Sequence, residues 1–235
     1  MPSSSSADQV ADSADDSLKP RLSADHPAVT ELFALLAYAE IAAFYRLTDE
    51  ARMAPNLRGR ISMASIAAAE MGHYELLRDA LEARGVDAVA AMSPYVSALE
   101  NYHRLTTPST WLEALVKTYV ADALASELYL EIAGGLPDEC VEVISAALSE
   151  TVHSQFVVAE VRAAVTTSSK QRSRLALWAR RLFGETITQA QYLLADHDEL
   201  VDLVVSGPDG LSNVAAFFDR LQHTHDQRMN ELGLG

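Results

Sequence analysis

Apolar residues recur at intervals of three and four along most of the chain after residue 27, the period that lays one face of an α-helix against a core. Phe33, Leu36, Ala37, Ala43, Phe44 and Leu47 carry the pattern from Ala28 to about Met53, where Pro55 and Asn56 break it. Asp25-His26-Pro27 ahead of this run puts a capping residue beside a proline, which suits a helix start. A second run, Ile61, Ile66, Ala69, Leu76, Leu77 and Leu81, extends from about Pro55 to Arg84 and stops at Gly85, a natural C-terminal cap. Residues 86–108 are less regular, contain Pro94 and Pro108, and read as a long crossover carrying a short helix. Thr110-x-x-Glu113 has the form of a capping box for a third helix, which runs to about Ala133 before Gly134-Gly135. A fourth is expected from about Asp138 to Val165. Two further amphipathic helices, roughly 171–206 and 211–232, flank Ser206-Gly207-Pro208-Asp209-Gly210. With no alternating strand pattern and no Gly-rich phosphate loop, the expectation is all-α: a four-helix bundle with one long crossover and two additional C-terminal helices.

Composition adds boundaries. A chain of 235 residues, about half of them apolar, supports one domain with a large core. Residues 1–24 are rich in Ser, Asp and Ala and lack aromatics, so they predict a disordered acidic tail. The helical domain is then 25–235, with its core bundle at about 28–167 and the extra helices at about 170–232. The single cysteine, Cys140, has no partner for an intramolecular disulfide, and the N-terminus lacks the basic-then-apolar form of an export signal. Charged residues interrupt every long apolar stretch, so no membrane span is expected and the protein should be cytoplasmic. The net charge of −15 disfavours broad attraction to nucleic acid or to an anionic membrane. Lys170, Arg172, Arg174, Arg180 and Arg181 form one basic run, read first as a solvated helix start and second as the place where a nucleic acid would touch.

The candidate chemistry lies in two repeated pairs. Glu70-x-x-His73 in the second helix and Glu150-x-x-His153 in the fourth each put a carboxylate and an imidazole on one face about a turn apart. That donor set suits iron, manganese or zinc. The midpoint of Glu40 and Glu70 is Pro55, the predicted turn, so antiparallel first and second helices bring the two carboxylates to one depth. An unpaired Glu40 on that buried face would be costly, and a metal would relieve the cost. Likewise the midpoint of Asp122 and Glu150 is Leu136, beside the next predicted turn. Glu127 would lie about 7 Å too close to that turn and points about 140° away from Asp122, so Asp122 is favoured as the third-helix ligand and Glu127 is left beside the site or exposed. The proposed set is Glu40, Glu70, His73, Asp122, Glu150 and His153, whose four carboxylates neutralise two divalent ions. The bland alternative is a group of buried Glu and His paired with each other or with Arg. A third spacing, Glu100-x-x-His103, lies in the crossover without a partner helix and is read as incidental. His197, between two aspartates, and the pair His223 and His225 are read as solvated.

This ligand set, in this order along the chain, resembles that of ferritin-like di-iron carboxylate proteins. His-Tyr-Glu after the first pair, Tyr-Val-Ala-Asp-Ala-Leu-Ala-Ser-Glu in the third helix and two extra helices after the core look like the MiaE-type tRNA hydroxylases, over about residues 28–200. The resemblance implies a ferritin-like bundle with two iron ions, manganese fitting the same donors. One iron would sit on Glu40 and His73 and the other on Asp122 and His153, with Glu70 and Glu150 bridging. It further implies a monooxygenase that takes dioxygen and electrons from an external donor and hydroxylates an unactivated carbon–hydrogen bond. In that family the bond belongs to the isopentenyl group of a modified tRNA adenosine, and tRNA would approach through the basic run. Phe33, Phe44, Tyr119 and Tyr129 are the expected walls of an apolar substrate pocket. Two departures weigh against the substrate: the family has Glu where this chain has Asp122, and the acidic surface suits a phosphate backbone poorly. Competing expectations are a ferritin- or rubrerythrin-like ferroxidase or peroxide-detoxifying protein, and a metal-free helical interaction protein. A homo-oligomer is compatible with any of them.

Overall fold

The first two predicted helices form one long antiparallel pair, and the caps that bound them are local. In the computed structural model, which describes residues 22–148, 154–206 and 214–235, α1 spans Pro27–Ala51 and α2 spans Leu57–Ala83. His26 rather than Asp25 caps α1, its Nδ1 accepting the Ala28 N–H at 3.2 Å, with Pro27 at the first helical position where a missing N–H costs nothing. Asn56 Oδ1 accepts the Gly59 N–H at 2.8 Å to start α2. Gly85 follows its end with φ of 72°, the left-handed conformation that glycine adopts freely.

The crossover holds more helix than its irregular sequence suggests: α3 (Ala88–Met92), a 3-10 turn (Ser93–Tyr95) and α4 (Val96–Leu105), the last packed against α1. α5 spans Trp111–Ala133. Thr110 Oγ1 accepts the Glu113 N–H at 3.3 Å, while the Glu113 carboxylate reaches back to the Ser109 N–H at 2.7 Å, one residue beyond the usual box partner. The expected fourth helix stops early, as α6 (Asp138–Ala147), and α7 (Ser154–Thr166) follows. Glu150 and His153 lie between them, outside the described residues, as do residues 1–21, which hold most of the expected tail.

The expected fifth helix is two, α8 (Ser169–Asp196) and α9 (Asp198–Ser206). His197 breaks it with an extended backbone, φ −135° and ψ 95°. Its ring is not solvated as expected: it stacks on Tyr95 at 4.6 Å and lies 3.8 Å from Glu31, a tertiary contact that helical periodicity does not report. α10 (Val214–Glu231) completes the order and packs on α5 and α8. Among the described residues there is no strand.

The apolar core comes in two parts. One gathers Leu32, Leu36, Leu77, Leu81, Tyr95 and Leu99, and the other Leu47, Met63, Ile66, Leu115, Leu124 and Leu182. Along α1 the first part ends at Ala37 and the second starts at Leu47; along α2 the break runs from Ala67 to Leu77, and along α5 from Leu124 to Tyr129. A polar layer therefore crosses the bundle at one level, and it contains the candidate site. α1 is long and apolar enough by length and composition to cross a membrane, although Glu31, Glu40 and Arg46 interrupt its apolar run as expected. Burial explains it: α1 is packed on both core parts, and its polar Glu40, Arg46 and Glu50 are buried within the protein.

Candidate metal centre

Within the polar layer, α1 and α2 bring Glu40, Glu70 and His73 together, with one ligand atom from each lying within 4.8 Å of the others. The antiparallel pairing about the Pro55 turn puts Glu40 level with Glu70, and the helical spacing of three puts His73 on the same face. His73 Nδ1 is 3.1 Å from Glu70 Oε2 and 3.7 Å from Glu40 Oε2. Burial pushes Glu40 up to about 8, reinforced by the neighbouring Glu70 carboxylate and opposed by His73. Glu70 is half-buried, but the hydrogen bonds from His73 and Glu40 and the charge of Arg46 outweigh that desolvation and hold it below the ordinary carboxylate range. Hydrogen bonds to Glu40 and Glu70 push His73 up to about 9. Two acidic groups thus compete for too little positive charge in a half-enclosed site. Their oxygens and the imidazole nitrogen are donors that a divalent transition metal accepts, and the cluster fits one such ion.

The other half of the expected site is arranged differently. Asp122, on α5, lines the same cavity as the cluster but is taken by Arg46 of α1, whose Nη2 donates to both carboxylate oxygens at 3.0 and 2.8 Å. Arg46 is buried and also donates through Nη1 to Glu50 Oε2 at 3.0 Å and to Thr118 Oγ1 at 3.3 Å. Burial pushes Asp122 up to about 6, with Arg46 pulling the other way and Glu70 and Glu50 adding to the rise. Here the pairing with Arg holds, the arrangement that the sequence offers as the alternative to a metal. Glu150 and His153 lie outside the described residues. Glu127 is half-buried and lines the cavity.

The cavity beside the cluster measures about 360 Å³ and its walls are mainly apolar, among them Ala43, Ile66, Leu99, Leu128 and Leu193. Tyr119 and Tyr129 line it as expected. Phe33 and Phe44 do not: Phe33 is buried in the first core part and Phe44 packs against the second. α4 supplies Leu99, Tyr102 and His103, so the third Glu-x-x-His spacing is less idle than its place in the crossover suggests. Its glutamate, Glu100, accepts a hydrogen bond from Tyr38 at 3.1 Å. His103 faces both this cavity and a second one of about 420 Å³, and burial together with Arg46 and Lys117 pushes it down to about 2. The second cavity is also lined by Arg46, Glu50 and Lys117, with Glu50 Oε1 and Arg46 Nε buried and without a hydrogen-bond partner among the described residues.

Arg46 is the residue that the sequence reading missed. The available signal was an Arg-x-x-x-Glu pair, Arg46 and Glu50, on the face of α1 that also carries Ala42 and Leu47. His225 departs from expectation as well: it is buried against Phe183, with ring centroids 5.0 Å apart, rather than solvated, while His223 is exposed and meets Gln227. In the basic run, Arg174 pairs with the buried Glu113 at 2.9 Å, Arg172 donates to the Gly233 carbonyl at 2.9 Å and Arg181 to the Leu105 carbonyl at 2.7 Å.

The sequence model of one protein family, described as a ferritin-like domain of actinomycetes, matches residues 24–207. No curated protein matches the chain.

Proposed function

The chain belongs to the actinomycete ferritin-like domain family, and from that premise we propose that it is a non-haem di-iron monooxygenase hydroxylating a small apolar substrate. The observation that carries this reading is the apolar cavity opening directly on the Glu40, Glu70 and His73 cluster. An iron-storing site needs a polar path for the ion, whereas these walls offer a place to hold a carbon skeleton.

Glu40 and His73 would hold one iron and Asp122 and His153 the other, with Glu70 and Glu150 between them. Iron held by these residues would supply the redox chemistry for dioxygen activation and hydroxylation of a carbon–hydrogen bond. The net reaction takes substrate, dioxygen, two electrons from an external donor and two protons, and yields the alcohol and water. Leu99, Leu128 and Leu193 exclude water and orient the substrate by shape. The hydrogen bond between Tyr102 and Thr186, 3.0 Å, ties α4 to α8, and both residues line the cavity.

The narrower reading, an isopentenyl group on a tRNA adenosine, needs the basic run at the start of α8 to receive phosphates. Arg172, Arg174 and Arg181 are engaged within the chain, which favours a free small molecule over tRNA. The test is anaerobic loading with iron(II), followed by oxygen-18 gas and a chemical reductant in the presence of isopentenyl adenosine and small terpenoids. Labelled alcohol from any of them is the expected outcome. Stoichiometric iron that is oxidised without labelled product would point to a ferroxidase instead.

A further inference from the structure

Arg46 divides its guanidinium between two carboxylates that face different cavities. Asp122 lines the cavity of the metal cluster, and Glu50 lines the second cavity on the other side. Both Asp122 oxygens are occupied by Nη2, so a cation approaching Asp122 meets a carboxylate already neutralised and a fixed positive charge behind it. At the cluster the ion-pair partner of both Glu40 and Glu70 is His73, and Arg46 reaches Glu70 by its charge and not by a hydrogen bond among the described residues.

We propose that Arg46 is a displaceable counter-cation: it holds Asp122 while the second metal position is vacant and turns to Glu50 when a divalent ion takes Asp122. The proposal rests on the reading of Asp122 as a ligand. Glu50 supplies the receiving end. Its Oε2 already accepts from Nη1 at 3.0 Å, and its buried Oε1 has no hydrogen-bond partner among the described residues. The adjoining cavity of about 420 Å³ leaves room for the guanidinium to rotate. The charges also close. Once Asp122 is given to a metal, Arg46 and Glu50 form a neutral buried pair, so neither is left as an isolated ion. The two metal positions are therefore unequal: the Glu40, Glu70 and His73 side fills first, and the Asp122 side fills only as Arg46 yields.

The experiment is anaerobic titration of the full chain with cobalt(II), followed by calorimetry and by visible absorption. The expected result is two resolved steps, the second at least about tenfold weaker than the first, in line with the strength of a charge-assisted hydrogen bond. Glu50→Gln removes the anionic destination of Arg46 and should weaken the second step further while leaving the first unchanged. Arg46→Met combined with Glu50→Gln removes the competitor and should tighten the second step by about tenfold or more. Should that double variant fail to fold, Arg46→Lys, which keeps the charge but loses the two-oxygen grip, should tighten the second step by a smaller factor. Two equal steps in the wild type, or shifts of the same sign in Glu50→Gln and the double variant, would overturn the role of Arg46 alone. Absence of any cobalt uptake would overturn the metal reading and this role together.

Discussion

The two halves of the polar layer answer one problem in opposite ways. On the α1–α2 side, Glu40 and Glu70 face each other with a single imidazole between them, and the buried Glu40 is pushed up to about 8. On the Arg46 side, Asp122 of α5 and Glu50 of α1 share a guanidinium that meets both Asp122 oxygens and one oxygen of Glu50. The first half leaves one buried carboxyl, Glu40, short of positive charge and suits a metal, and the second is met by the protein's own charge. A site that must bind an ion leaves its ligands underpaired, whereas a group that must stay put until an ion arrives is given a partner it can exchange.

The largest effects should separate the halves by metal content. Glu40→Ala or His73→Ala is expected to abolish stoichiometric iron, read by mass spectrometric metal analysis, because each removes a donor from the open cluster. Asp122→Asn should cost only part of the iron, and Glu127→Ala none. Retention of all metal in His73→Ala would place the centre elsewhere.

Stability should then move in opposite directions. Arg46→Met leaves the buried Glu50 and the partly exposed Asp122 without their cation and should lower the unfolding free energy of the metal-free protein by about 2–3 kcal/mol in chemical denaturation, less than for a fully buried pair because water reaches Asp122. Glu40→Gln puts a neutral amide where burial and Glu70 already push the carboxyl up to about 8, so the metal-free protein should be as stable as wild type or gain about 1 kcal/mol. Loss of several kcal/mol in Glu40→Gln would show that the cluster is a structural ion pair with His73 and not an underpaired metal site.

The legibility of these halves in the sequence differs for the same physical reason. Long uninterrupted periodicity exposed α1, α2 and α5, and the equal spacing of Glu40 and Glu70 about Pro55 predicted their meeting, because antiparallel geometry alone decides it. Arg46 was invisible to a search for metal donors, since its role comes from what α5 presents across the bundle. The break at His197 was equally hidden. Two flanking aspartates look like helix surface, and only the stack on Tyr95 and the nearness of Glu31 show why the backbone opens there. The walls of the cavity were half legible: Tyr119 and Tyr129 lie on a well-predicted helix, whereas Leu99 and His103 depend on how the crossover folds back.

The last effect is a slope, and it belongs to the Arg46 half. Lys117 is almost wholly buried, donates to the Thr106 carbonyl at 2.9 Å, and is pushed down to about 7 by burial and then by Arg46, with Glu50 and Asp122 opposing. Between that value and the ordinary lysine value of about 10.4 the unfolded chain carries the proton and the folded chain releases it. Unfolding therefore takes up a proton in this window, and stability rises with pH there by up to ~1.4 kcal/mol per unit. Below pH 7 the charged form is buried at full cost, so this contribution is lost as pH falls. Lys117→Met should flatten the rise when urea unfolding is followed from pH 7 to 9, and it should raise stability at the acid end of that range. An unchanged slope in the variant would mean that Lys117 stays charged in the folded protein, with Glu50 and Asp122 outweighing its burial. Arg46 would then share its two carboxylates with a second cation, and its hold on Asp122 would be the weaker for it.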